Sequence, residues 1–138
     1  MAVKLIPEGY HTVSPFIIVK DIPKLMEFLT KAFNAKEKFR MYDSDNVSVM
    51  HAEMTIGDSV IMLSEVSQGF DPAPAGFFLY VEDVDAVYKS AINAGGKSIG
   101  EPKDQFYGDR TGGITDPWDN KWWMGTHIED VSPEELKK

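Results

Sequence analysis

The sequence predicts an α+β fold: two tandem βαβββ modules whose strands form a curved mixed sheet around a cleft. Three observations predict it: an internal repeat, two helix-period segments that each open on an aspartate, and a run of short strands after each helix. Phe16, Val19 and Asp21 recur 62 positions on as Phe78, Val81 and Asp83, and Ile22, Leu25 and Met26 meet Val84, Val87 and Tyr88. Apolar residues at i, i+3 and i+4 after each aspartate mark an amphipathic helix. Neither βαβββ copy can bury a sheet face and a helix face alone, so the expected arrangement is edge to edge with a helix behind each sheet.

Each element follows from local chemistry. Residues 14–19 alternate as a strand, and Asp21 then offers a carboxylate to the first helical turn, with Pro23 inside that turn and Asn34 at the predicted end. Residues 37–42, 47–56 and 59–65 read as strands, the last two joined by a Gly57-Asp58 turn. Residues 67–75, with one glycine and two prolines, read as a connector. The second copy repeats the plan: a strand at 76–81, an Asp83 cap, a helix closed by Gly95-Gly96, and strands at 97–103, 107–115 and 121–127. Ser132, Pro133 and Glu135 form a capping box for a short terminal helix. The organisation is therefore one domain over 1–138, with module one at about 10–66, the connector at 67–75, module two at about 76–128 and a tail at 129–138.

Period-2 alternation assigns the faces. Ile17, Val19, Leu79 and Val81 are uniformly apolar and belong under helices, whereas Phe16, Phe78, Tyr80 and Trp123 fall on the opposite, cleft-facing sides. A two-residue loop at Gly57-Asp58 pairs Thr55 with Val60, Glu53 with Met62 and His51 with Ser64. That places His51 and Glu53 on the aromatic side, two residues apart on one strand face. The pair suits a general base with its orienting carboxylate, or an anchor for a polar ligand group; an edge-strand pair that only satisfies itself is the plainer alternative.

Composition narrows the classes. The 138 residues carry 14 basic and 22 acidic side chains, a formal charge of −8, with no dense basic stripe, so no nucleic-acid partner is expected. The absence of cysteine excludes disulfides, thiolate metal sites and cysteine nucleophiles. No apolar run approaches the ~20 residues of a membrane span, and the first residues lack a secretory signal pattern, so no membrane partner and a cytoplasmic location are expected.

The two modules, the segment Tyr107-Gly108-Asp109-Arg110-Thr111-Gly112-Gly113, Asp116-Pro117 and the run Trp122-Trp123 to Thr126-His127 together resemble the vicinal oxygen chelate superfamily, which holds glyoxalases, bleomycin-resistance proteins and extradiol dioxygenases. His51-Ala52-Glu53 and the Gly-Asp-Arg turn are similar to the PhnB-like branch. The resemblance spans roughly residues 10–131 and implies a small-molecule ligand and a homodimer. It also assigns the metal-ligand positions of that superfamily to Ser14, Met62, Gly76 and Trp123, none of which is a useful ligand for a divalent ion. The expected cofactor and metal complement is therefore none.

Three readings follow. The first is a metal-free binder of a small aromatic or hydrophobic molecule, with Phe16, Met62, Phe78, Tyr80, Tyr107, Arg110, Trp123 and His127 as ligand-binding residues and Arg110 as a clamp for an anionic group. The second is a lyase- or isomerase-type enzyme with a relocated metal or an acid–base centre at His51, Glu53 and His127. The third is an interaction module. Whether the protein is an enzyme stays open at this level.

Overall fold

The computed structural model describes residues 3–66 and 71–137. It divides into two compact units, residues 1–74 and 75–138. Part of the 67–75 connector, including Phe70, lies outside the described residues.

Unit 1 runs β1 (Phe16–Val19), α1 (Ile22–Phe33), β2 (Lys36–Tyr42), β3 (Val49–Ile56) and β4 (Ser59–Glu65), in the sheet order β1-β4-β3-β2. β1 lies parallel to β4 and the other pairs are antiparallel. Unit 2 repeats this with β5 (Gly76–Tyr80), α2 (Val84–Asn93), β6 (Lys97–Asp104), β7 (Asp109–Thr115) and β8 (Lys121–His127), in the order β5-β8-β7-β6; a short α3 (Pro133–Leu136) follows. The same strand order and the same parallel pair in both units establish the α+β duplication that the repeat predicts.

The helices start where the aspartates stand. The Asp21 carboxylate accepts the Lys24 N–H at 3.2 Å, and Asp83 accepts that of Ala86 at 3.2 Å. Asp21 sits in the left-handed region (φ 77), a conformation that aspartate tolerates better than most residues. Its own N–H is held by both oxygens of Glu65, at 2.9 and 3.0 Å, so the end of β4 fixes the entry to α1. Asn34 ends α1 in the left-handed region, as its place in the sequence predicts.

α1 packs on β3 and β4, and Leu25, Leu29, Ile17, Ala52 and Leu63 are fully buried there. Burying each leucine contributes about 1.5–3 kcal/mol. In unit 2 the core is Ile114, Trp122 and Met124 under α2, with Phe77 stacked on Trp122 at 4.2 Å between ring centres. The turn before β8 is a buried polar knot: Asp116 accepts the Trp122 indole N–H at 2.8 Å and the Asn120 amide at 3.0 Å, while Asn120 accepts the Ala75 N–H at 2.9 Å. That knot anchors β8, and with it the register of Trp123 and His127.

Candidate functional site

The face of each sheet away from its helix carries the chemistry, and each is described within its own unit. In unit 1 the Gly57-Asp58 turn sets the register as predicted: His51 opposes Ser64, Glu53 opposes Met62 and Thr55 opposes Val60. Met62 lies in turn beside Phe16 on β1, so one row crosses the sheet as Phe16, Met62, Glu53 and Phe39.

Glu53 is only 5% exposed, and both its oxygens are used. Tyr10 donates its hydroxyl to Oε1, and the His51 Nε2 lies 3.0 Å from Oε2. A carboxylate only accepts, so it assigns the Nε2 proton to His51. The hydrogen bond to Glu53 pushes the Tyr10 phenol up to about 12, with burial and the carboxylate charge acting in the same direction. Lys38 sits over the Tyr10 ring, its Nζ 4.8 Å from the centroid. The His51 ring lies between two phenylalanines, with centroids 6.2 Å from Phe16 and 6.0 Å from Phe39.

In unit 2 the matching row is Phe78, Trp123 and Gly113. Gly113 takes the place that Glu53 takes in unit 1, and the indole of Trp123 fills the space: a Cβ added to Gly113 would stand 2.5 Å from the Trp123 ring. A Cβ on Gly125 would likewise stand 2.7 Å from the Phe78 ring. Glycine at these two points lets both aromatic rings lie against the sheet. Phe78 is 45%, Tyr80 67% and Trp123 39% exposed, and Phe78 and Tyr80 are in ring contact at 4.9 Å.

The polar cluster of unit 2 is two rows further along that face, past Thr111 and Gly125. Asp109 opposes His127 across β7 and β8 and lies 2.7 Å from its Nδ1, while Asp130 lies 2.7 Å from Nε2. Two carboxylates that only accept favour a ring in which both nitrogens donate, so the contacts favour the imidazolium form of His127. Its pKa is raised accordingly, first by the Asp109 hydrogen bond and then by that of Asp130. Tyr80 donates to the other Asp109 oxygen at 3.2 Å, and the Asp109 charge raises the Tyr80 pKa.

Of the residues that the sequence nominates, Phe16, His51, Glu53 and Met62 share the unit 1 face, and Phe78, Tyr80, Trp123 and His127 share the unit 2 face. Arg110 stands elsewhere. It alternates with Asp109 and Thr111 toward α2, where Asp85 binds its Nε and Nη2 at 2.8 and 3.0 Å and Asp104 binds Nη1 at 3.1 Å. This fork joins α2 to the sheet, and Arg110 is paired with these two acids rather than aimed at the exposed aromatic rings. Tyr107 precedes β7 and meets Phe106 edge to face at 5.3 Å.

Sequence reasoning missed Tyr10, Phe39 and the Asp109–His127–Asp130 contacts. For Phe39 a signal existed: alternation carried across one more strand reaches it, but β2 has a register shift between Glu37 and Phe39 that shifts the count.

Residues 10–124 match the Glyoxalase/Bleomycin resistance protein/Dioxygenase superfamily. The chain belongs to that superfamily. Over 135 residues it is 30% identical to an uncharacterized protein of Mycobacterium bovis, covering 90% of this chain and 88% of that protein. Among solved structures it is similar to TioX from Micromonospora sp. ML1, with a TM-score of 0.72, 16% identity, and coverage of 84% of this chain and 99% of that one. It is also similar to FosX, a genomically encoded fosfomycin resistance protein from Listeria monocytogenes, with a TM-score of 0.62, 19% identity, and coverage of 91% and 96%. At these identities the likeness is one of fold.

The divalent-ion site that the superfamily implies finds no suitable donors at the positions assigned to it. Ser14 is a weak ligand, Met62 a soft thioether, Gly76 has no side chain, and Trp123 offers an indole. Among the described residues, no group of three or more His, Asp or Glu side chains is arranged to hold a metal ion. No helix among them is long and apolar enough to cross a membrane.

Proposed function

We propose that this protein binds a planar or aromatic small molecule without a metal ion, on the sheet faces that its helices leave uncovered. One observation carries the reading: Phe78, Tyr80 and Trp123 stand exposed side by side, two of them laid against the sheet over glycines. Exposed aromatic surface of this kind marks a binding site, and rings already fixed in place lose little freedom when a ligand stacks on them. The superfamily's description joins glyoxalases, a resistance protein and dioxygenases, all concerned with small molecules. Within the superfamily, the His51-Ala52-Glu53 strand supports a place in the PhnB-like branch, and the same resemblance supports a homodimer, which light scattering reads directly.

The experiment is a titration with neutral and cationic planar aromatics, followed by tryptophan fluorescence. At least one compound is expected to bind more tightly than about 1 mM. Trp123→Ala is expected to weaken that binding at least about tenfold, or about 1.4 kcal/mol, with the fold intact. Binding that is absent throughout, or indifferent to Trp123, overturns the reading.

A further inference from the structure

We propose that His51 recognises the acidic O–H group of an aromatic ligand, a phenol being the simplest case, while Phe16 and Phe39 receive the ring. The inference rests on the aromatic-ligand reading and extends it to the unit 1 face, naming the polar group that the ligand must carry.

Hydrogen-bond accounting leads to it. Glu53 has two oxygens and two donors, Tyr10 on one and His51 on the other. With the Nε2 proton committed to Glu53, a neutral His51 presents Nδ1 as a lone-pair acceptor. That nitrogen has no protein partner among the described residues, and the imidazole is partly exposed. Its neighbours across the sheet, Met41 on β2 and Ser64 on β4, bring no charge. The titratable and charged groups around it are thus Glu53 itself, Tyr10 behind Glu53, and Lys38 over the Tyr10 ring. Phe16 and Phe39 flank the imidazole and are themselves exposed, so an aromatic ring has apolar surface to cover on either side of the one acceptor.

This arrangement selects a donor. A methyl ether in the same place leaves Nδ1 unpaired as water is displaced, whereas a phenol satisfies it. The ligand O–H donates to Nδ1 while the other ring N–H stays on Glu53, so no covalent bond is made or broken.

The test compares 4-nitrophenol with 4-nitroanisole on the full chain. The phenol is expected to bind at least about tenfold more tightly than its methyl ether. His51→Phe should bring the two ligands to near parity while retaining the ether. Equal affinities in the unaltered protein overturn this proposal and leave aromatic binding standing. Failure of both ligands, with every other planar aromatic, removes the aromatic reading and this proposal together. The phenol–ether comparison needs no substitution, so a variant that fails to fold does not obscure the answer.

Discussion

Both units wire a tyrosine hydroxyl, a buried carboxylate and an imidazole in series, yet the two series end differently. In unit 1 the order is Tyr10, Glu53, His51, and the imidazole has one nitrogen left over. In unit 2 it is Tyr80, Asp109, His127, and Asp130 takes the remaining nitrogen. One additional carboxylate takes up the acceptor position that stays open in unit 1 and favours the charged ring. The series also occupy different rows: where unit 1 places Glu53, unit 2 places Gly113, and a tryptophan lies over it. The two units thus share a strand order while the carboxylate stands two rows further along in unit 2, and the row that holds Glu53 in unit 1 holds exposed aromatic rings in unit 2.

The largest effect should come from refilling that row. Gly113→Val drives a side chain into the Trp123 ring and is expected to cost about 3 kcal/mol in chemical denaturation, the upper end for overpacking. Gly76→Ala, where an added Cβ meets nothing within 4 Å, should stay within about 0.5 kcal/mol. If the two substitutions cost the same, the close approach of Trp123 to Gly113 is not what that glycine is for.

Next is the carboxylate of unit 1. Glu53→Leu removes the acceptor for two donors and is expected to cost about 1–2 kcal/mol. The Tyr10 phenol should then fall from about 12 toward its ordinary value of 10, which an ultraviolet pH titration reads.

The corresponding change in unit 2, Asp109→Asn, removes the leading cause of the raised His127 value, so the imidazole should titrate closer to 6.5 in an NMR experiment. Tyr80 should fall in the same variant. Asp130→Asn should move His127 in the same direction but less, because Asp130 is fully exposed to solvent.

The sign of the His127 contribution follows from linkage. Its value in the folded chain exceeds that in the unfolded chain, so whatever stability it adds is fully present below pH 6.5 and fades as pH rises through the elevated folded value. A His127→Gln variant should therefore be less stable than the parent in mild acid and match it in alkali. A gap that grows with pH would show that the imidazolium is not held by its two carboxylates.

Much of the fold was legible because its signals are local. Asp21 and Asp83 announce helix starts within three residues, and the Gly57-Asp58 loop leaves a single register for His51, Glu53 and Met62. The cluster contacts were less legible because they are long-range or cross-strand. Tyr10 reaches Glu53 across 43 positions from a segment with no period to read. Pairing of Asp109 with His127 requires counting through the turn between β7 and β8, whose geometry depends on the buried Asp116–Asn120 contact rather than on a two-residue motif. Arg110 shows the limit of adjacency: sequence offers Asp109 as its neighbour, but alternation sends the two to opposite faces, and Asp85 on α2 takes the guanidinium.

The irregular stretch before β1 bears on how the chain is handled at the bench. A version trimmed to begin at Phe16 would retain every strand and helix named here and would pass a circular dichroism check. It would nonetheless have lost the phenol that engages Glu53, leaving that acid with its histidine alone. Secondary-structure content is therefore a poor guide to where this polypeptide can be shortened, and an amino-terminal fusion that disturbs Tyr10 would alter the unit 1 cluster without any sign in the spectrum.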